Sequence, residues 1–132
     1  MAKKKKARLG PEKIIENQIL DWLNLIEGCF AFKVNNVGIY DTKKKVHRKN
    51  HNSHVHNGIS DILFCYKGRF GSIEVKAGYN KPTENQLTWL KNIDNHGGVS
   101  WWTNDLTQCK KIFAGLFPNF QYTEPPLFEE IL

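Results

Sequence analysis

A chain of 132 residues with 40% hydrophobic side chains can bury one core, but it is too short to form two domains of ordinary size. The net charge of +6, from 19 basic and 13 acidic residues, favours an anionic partner. No stretch approaches the roughly 18 consecutive apolar residues of a membrane span, and no secretory signal peptide is recognisable. We therefore expect a cytoplasmic protein with no membrane partner. A virus-encoded protein that acts in the host cytoplasm fits the same observations.

The three cysteines indicate a reducing environment. Cys29, Cys65 and Cys109 are odd in number, and each lies in an apolar run. Their separations do not fit a metal-ligand motif. We therefore predict reduced side chains that pack in the core.

The positive charge is concentrated in two short stretches, which predicts a surface that binds a polyanion. Residues 1–9 are predicted to be a disordered basic tail, for which a purely solubilising role is the alternative. Residues 38–57 contain few apolar side chains and are predicted to be a flexible basic loop. The side chains expected to contact the phosphates of such a partner are Lys3, Lys4, Lys5, Lys6, Lys43, Lys44, Lys45, Arg48 and Lys49.

Four histidines also lie in the basic loop, namely His47, His51, His54 and His56. A zinc site built from them is conceivable, but their spacing matches neither a helix-borne nor a knuckle motif. Contact with phosphates is the preferred interpretation for this loop.

The first predicted element is a helix that starts at Gly10-Pro11-Glu12, since proline and an acid are favoured in the first turn. Apolar side chains recur at helical spacing, and Gly28 is expected to end the helix. Glu16 lies at the edge of the apolar stripe, where it is either an ordinary boundary glutamate or a third carboxylate of a site. Residues 29–37 then indicate a strand.

Residues 58–76 form the stretch on which the candidate site depends. Two apolar runs are separated by the turn Lys67-Gly68-Arg69, which predicts an antiparallel hairpin. Asp61 opens the first strand, and Glu74 and Lys76 share one face of the second because side chains alternate along a strand. A hairpin of this length brings Asp61 near Glu74.

A second helix follows the hairpin. Thr83-x-x-Gln86 resembles a capping box, and the glycines after residue 96 are expected to stop the helix. Gln86 has two interpretations at this stage. It either caps the helix or reaches toward Glu74 or a bound phosphate.

The remaining elements complete one domain. Residues 99–102 indicate a strand, and Asn104 is expected to cap a helix through Leu116. Residues 10–117 then form an α/β domain, a mixed sheet flanked by helices in the order α-β-β-β-α-β-α. The segment 118–132 is predicted to be a C-terminal tail that docks on a partner subunit or on its own domain.

Two carboxylates beside one ammonium among apolar side chains are unfavourable unless a cation lies between them. Asp61, Glu74 and Lys76 therefore predict a site for a hard cation of the magnesium kind. A solvated sheet face with a cross-strand ion pair is the alternative, because an acid and a lysine two residues apart are by themselves a weak signal.

The chain resembles the PD-(D/E)XK nuclease superfamily. Within it the chain is similar to the virus-type replication–repair nucleases (VRR-NUC), which are related in fold to archaeal Holliday junction resolvases. The resemblance covers residues 12–104 and is carried by Glu16, Gly58-Ile59-Ser60-Asp61, Ile73-Glu74-Val75-Lys76 and Gln86-x-x-Trp89 before Gly97-Gly98. Ser60 departs from the proline of the superfamily's name, at a position that is not a ligand. The resemblance implies a restriction-endonuclease-like core.

The resemblance also implies a ligand set. Asp61 and Glu74 would coordinate Mg²⁺ or Mn²⁺ with help from the Val75 carbonyl and waters. Glu16, in preference to Glu12 on the same helix, would be an outer or second-metal ligand. Such a cation suits phosphodiester hydrolysis because it neutralises the phosphate charge and generates the attacking hydroxide.

Two further roles follow from the resemblance. Lys76 would orient or deprotonate the water, or stabilise the charge that develops on the phosphate. Gln86 would position the water or the phosphate.

The first hypothesis is a metal-dependent endonuclease that acts as a homodimer on branched DNA such as a Holliday junction. No helix carries the clustered Arg, Asn and Gln side chains that read bases, so recognition is expected to depend on DNA shape and backbone charge. A nicking or flap-type nuclease of viral replication or repair is the second hypothesis. An inactive DNA-binding module is the third, and a basic structural or packaging protein would leave the acids beside Lys76 unexplained.

Overall fold

The structure is a computed structural model that describes residues 8–34, 39–41, 46–48 and 53–123, and for the two short middle segments it describes the backbone alone. In chain order the elements are α1 (Pro11–Leu23), β1 (Cys29–Lys33), β2 (Ile39–Asp41), β3 (Val46–Arg48), β4 (Ile62–Tyr66), β5 (Arg69–Val75), α2 (Glu84–Asn95), β6 (Val99–Thr103) and α3 (Leu106–Leu116). None of these described helices is long and apolar enough to cross a membrane.

Four strands form one mixed sheet in the order β1-β4-β5-β6. β4 pairs antiparallel with β1 and with β5, whereas β6 pairs parallel with β5. A parallel neighbour requires a crossover, and α2 lies in the connection between β5 and β6. The expected α/β class, a mixed sheet flanked by helices, is therefore confirmed. A restriction-endonuclease-like core stays a prediction.

The element order differs from the prediction within 38–57. The sequence predicts a loop there, but the backbone forms a separate antiparallel pair, β2 and β3, whose register joins Ile39 with Arg48 and Asp41 with Val46. Each strand has only three residues, which is too short for a periodic hydrophobic pattern to be recognised. The predicted order α-β-β-β-α-β-α therefore lacks the hairpin formed by β2 and β3.

Side-chain alternation assigns the two faces of the sheet to different helices. Phe64 and Tyr66 of β4 point to the face covered by α1 and α3, and their rings lie 6.0 and 5.4 Å from the ring of Phe113. α2 lies on the other face, where Trp89 Nε1 donates to Ser72 Oγ at 2.8 Å. β5 is consequently buried on both faces along most of its length.

The end of α1 is set by a side chain, not by a glycine. α1 ends at Leu23, well before the predicted stop at Gly28. The Asn24 side chain binds the backbone of Ala31, donating to its carbonyl at 3.1 Å and accepting its N–H at 2.9 Å. Asn24 thereby turns the chain into β1 and covers backbone groups on the outer edge of the sheet.

The cap of α3 is also one residue away from the prediction. Asp105 caps the helix in place of Asn104, since its carboxylate accepts the N–H of Gln108 at 2.6 Å. The Gln108 side chain in turn accepts the N–H of Asn104 and the hydroxyl of Thr103. These hydrogen bonds join the end of β6 to the start of α3.

The cysteine prediction is confirmed for Cys109 and wrong for Cys65. Cys109 is buried and Cys29 half-buried, but Cys65 is exposed because it alternates along β4 with the buried Phe64 and Tyr66. Burial raises the pKa of Cys109 to about 12, and burial followed by the nearby Cys65 raises that of Cys29 to about 11. Both thiols are therefore protonated at neutral pH.

The first part of the C-terminal tail packs on its own domain. Trp22 Nε1 donates to the Tyr122 hydroxyl at 3.1 Å, and the N–H of Thr123 donates to the Leu25 carbonyl at 2.7 Å. Residues 124–132, like the basic residues 1–7, lie outside the described part of the chain. Docking on a partner subunit stays a prediction for that segment.

Gly58 holds the segment before Asp61 against α2. Its φ is +79°, and a Cβ placed on it would lie 2.6 Å from the backbone of Asn85. Gly58→Ala is therefore expected to lower the free energy of unfolding by about 1–3 kcal/mol, through backbone strain and overpacking. Urea unfolding measures this, with Gly115→Ala as the control because a Cβ there meets open space. An unchanged midpoint for Gly58→Ala would contradict the close packing of Gly58 against the Asn85 backbone.

Candidate metal centre

The β4–β5 hairpin brings Asp61 and Glu74 together, as predicted. Asp61 immediately precedes β4, and the register pairs Ile62 with Ile73, so Asp61 and Glu74 lie side by side at the end of the hairpin away from its turn. Asp61 Oδ2 accepts the N–H of Val75 at 3.1 Å. This hydrogen bond holds the Asp61 carboxylate against the last residues of β5.

The Glu74 carboxylate is buried, and few neighbouring groups compensate the cost of burying it. The residue is 1% exposed, and no hydrogen-bond donor in the described part of the chain reaches its Oε2 atom. Burial, followed by the charge of Asp61, raises the pKa of Glu74 to about 8, although the Lys76 ammonium lowers it. An unpartnered buried oxygen beside a second carboxylate favours a cation at that position.

Lys76 supplies an ammonium that contacts Glu74 of this pair. Its Nζ atom lies 3.4 Å from Glu74 Oε1, and its side chain is 13% exposed. The N–H of Lys76 donates to the Thr103 carbonyl at 2.9 Å, which joins the end of β5 to β6. The predicted meeting of two carboxylates and one ammonium is therefore confirmed. One ammonium cannot neutralise both acids, so together with Asp61 these groups carry a net negative charge when ionised.

Glu16, the predicted third carboxylate, forms an ion pair. It is 4% exposed, and its Oε2 atom lies 2.9 Å from the Nζ atom of Lys33. Lys33 is the last residue of β1, which ends short of the predicted 29–37. The next residue, Val34, donates its N–H to the Asp61 carbonyl at 2.8 Å, so β1 ends beside the residue that precedes β4.

Glu12, the alternative acid on α1, lies on the other side of the site. Its Oε1 atom is 3.4 Å from the backbone nitrogen of Ala77, just after Lys76. Both acids of α1 therefore approach strand ends near the site. The role of Glu16 as an outer or second-metal ligand stays a prediction.

The capping interpretation of Gln86 is confirmed. Its N–H donates to Thr83 Oγ1 at 3.2 Å, and its side-chain oxygen accepts the N–H of Thr83 at 2.9 Å. The side-chain oxygen is thus engaged in the cap of α2. A role in positioning water or phosphate stays a prediction.

Most of the predicted DNA contacts lie outside the described residues. This holds for Lys3, Lys4, Lys5, Lys6, Lys43, Lys44, Lys45 and Lys49, and for Arg48 the backbone of β3 alone is described. Of the histidines proposed for zinc, the side chains of His47 and His51 also lie outside. The ring of His56 packs 5.9 Å from the ring of Trp89.

Comparison with known proteins does not identify a family. No protein-family model, curated protein or solved structure matches this chain. Membership of the VRR-NUC family therefore stays a prediction.

The carboxylates of Asp61 and Glu74 are donors of the kind that Mg²⁺ prefers. Among the side chains that the structure describes, no three Asp, Glu, His or Cys residues form a group that could hold a metal. Mg²⁺ keeps several waters and often takes only one or two carboxylates, whereas Zn²⁺ takes three or four protein ligands. Asp61 and Glu74, whose Oε2 atom has no hydrogen-bond partner among the described residues, meet the smaller requirement.

The raised pKa of Glu74 predicts a pH dependence of stability in metal-free buffer. A folded-state pKa of about 8, against an ordinary value of 4.5, means that the folded protein holds this proton more tightly than the unfolded chain does. The free energy of unfolding should therefore fall as pH rises from about 4.5 to about 8, by an amount on the order of a few kcal/mol. The measurement is urea unfolding in EDTA across this range, taken as the difference between wild type and Glu74→Gln. A difference that does not vary with pH would contradict the assignment.

Proposed function

We propose that this protein is a Mg²⁺- or Mn²⁺-dependent endodeoxyribonuclease that hydrolyses phosphodiester bonds. The observation that carries the proposal is the buried Oε2 atom of Glu74, which has no donor in the described residues and lies beside the carboxylate of Asp61. A buried pair of carboxyl groups is unfavourable compared with hydrophobic residues of similar size, which favours a functional role for the pair. The pair is explained if a divalent cation and a phosphate bind there.

Asp61 and Glu74 are the side chains that would hold the ion, with the Val75 carbonyl as a further ligand. The hydrogen bond from the Val75 N–H to Asp61 Oδ2 fixes one carboxylate in advance, which lowers the entropy lost on binding. When bound, the ion supplies positive charge to the phosphate oxygens and lowers the pKa of the attacking water.

Lys76 is assigned the stabilisation of charge on the reacting phosphate. Its ammonium is mostly buried and lies 3.4 Å from Glu74 Oε1, so it is held at the edge of the carboxylate pair. A fixed cation in a partly dry site stabilises the negative charge that develops in the transition state more strongly than water does.

Branched DNA is the proposed substrate, and a homodimer is the proposed assembly, because two sites are needed to cut opposed strands. The net charge of +6 favours DNA as the partner. A second copy would also bury Phe30 and Phe32, which are 66% and 43% exposed on the sheet. A nicking or flap-type nuclease is the alternative within the same chemistry.

The test is cleavage of synthetic four-way junction, flap and linear duplex with Mg²⁺, Mn²⁺ or EDTA. Cleavage of the junction that requires the metal would support the full proposal, and cleavage of flaps or nicking would support the alternative. A protein that binds these DNAs but cuts none of them with either metal would be a binding module. That result would contradict the proposed activity.

A further inference from the structure

We infer that Lys33 contacts a DNA phosphate at this site and that Glu16 is the residue that positions it. The inference rests on the proposed nuclease function and gives two residues of the same site their roles. It differs from the expectation that Glu16 is a metal ligand.

The location of Lys33 is the first observation. Lys33 ends β1 directly before Val34, whose N–H binds the carbonyl of Asp61. In the register of β1 and β4, Lys33 pairs with Ile62, the residue that follows Asp61. Lys33 therefore lies at the same end of the sheet as the carboxylate pair, where a phosphate would bind.

The second observation is that the two partners differ in exposure. The Glu16 side chain is 6% exposed, whereas that of Lys33 is 39% exposed. An ammonium has three N–H donors, and the Lys33 Nζ atom lies 2.9 Å from Glu16 Oε2. The buried carboxylate thus holds the ammonium from the core side, while part of the Lys33 side chain stays open to solvent. This is the arrangement that a phosphate-binding lysine requires.

The third observation concerns the carboxylate itself. Glu16 Oε2 is already in contact with Lys33, and Glu16 does not join Asp61 and Glu74 in a three-ligand group among the described side chains. A metal at Glu16 would have to displace the ammonium. Lys33 therefore supplies a second positive charge at the phosphate, and Glu16 acts through it.

The experiment uses two probes that do not depend on cleavage. Mn²⁺ alone is titrated calorimetrically, and a labelled four-way junction is bound in EDTA, with the full chain and with Lys33→Met, Glu16→Gln and the double variant. Lys33→Arg tests rescue by a conserved charge, and Lys91→Met on the exposed side of α2 is the control. Thermal melts verify that each variant is folded.

We expect Lys33→Met to weaken junction binding by about 10-fold and to reduce the salt slope by about 1, while Lys33→Arg retains most of the affinity. Glu16→Gln should weaken binding by roughly 3-fold alone and have no further effect in the Lys33→Met background, because it acts through Lys33. Mn²⁺ affinity should stay within about 2-fold of wild type in all of them, since neither residue binds the ion.

Two results would overturn the inference and leave the nuclease proposal standing. If Glu16→Gln weakens Mn²⁺ binding as strongly as Glu74→Gln does, Glu16 is a metal ligand. If Lys33→Met binds the junction as tightly as Lys91→Met does, the ion pair is structural only. A wild-type protein that binds neither Mn²⁺ nor DNA would overturn the inference and the proposed function together.

Discussion

Replacing Glu74 with glutamine is expected to reduce metal-dependent DNA cleavage by about 1,000-fold or more. The substitution keeps the shape of the side chain but removes the negative charge that would hold the cation, and loss of several kcal/mol of transition-state stabilisation corresponds to this factor. Asp61→Asn should have a similar effect, although its side-chain oxygen can still accept the N–H of Val75. Single-turnover cleavage with saturating Mn²⁺ measures both losses.

Measuring DNA affinity distinguishes a specific loss of catalysis from unfolding of the variant. DNA affinity in EDTA should change little in Glu74→Gln, because the proposed phosphate contacts come from lysines and not from the acids. Glu27→Gln, at an exposed position before β1, is the matched control and should cleave like wild type. If Glu74→Gln and Asp61→Asn both cut normally, the site has been placed on the wrong residues.

Lys76→Met is expected to lower kcat by roughly 100- to 1,000-fold, which is the usual loss when one donor to a developing negative charge is removed. The effect on KM should be much smaller, because Lys76 is mostly buried against Glu74 and would act on the reacting phosphate. Steady-state cleavage with saturating metal separates the two parameters.

Two control variants test whether the effect of Lys76→Met comes from the charge of Lys76 or from the loss of any lysine nearby. Lys76→Arg keeps the charge and should recover part of kcat, whereas Lys81→Met removes an exposed lysine five residues further on and should have little effect. A rise in KM with unchanged kcat for Lys76→Met would instead make Lys76 a general DNA-binding residue.

The central part of the site was predictable because it is local in sequence. Asp61 and Glu74 belong to one hairpin, and strand alternation with a short turn is sufficient to place them together. The same holds for Gln86, whose cap depends on a residue three positions away. Local rules of this kind do not require knowledge of the whole fold.

Lys33 could not be identified in the same way. Its place beside Asp61 depends on β1 pairing with β4, strands that are separated by the long segment containing β2 and β3. Its contact with Glu16 further depends on which face of the sheet α1 covers. A charged residue that ends an otherwise apolar strand was the one available signal, and that signal alone also describes an ordinary exposed lysine.

Other differences between the predicted and the observed structure have local causes, which override the hydrophobic pattern of the sequence. Asn24 binds the backbone of Ala31 and so ends α1 before Gly28, and Asp105 caps α3 in place of its neighbour Asn104. Asn and Asp can both cap a helix, so propensity does not decide between adjacent candidates. The exposed Cys65 shows that an apolar run can still alternate between a buried and an open face.

The most direct test of the proposed metal centre is a crystal of the wild-type protein soaked in Mn²⁺ and measured near the manganese absorption edge. We predict an anomalous peak between Asp61 and Glu74, in contact with the Oε2 atom that has no donor in the described residues. Saturating Mn²⁺ that leaves no peak there, with the two carboxylates apart or the Lys76 ammonium between them, would contradict the metal site and the nuclease proposal built on it.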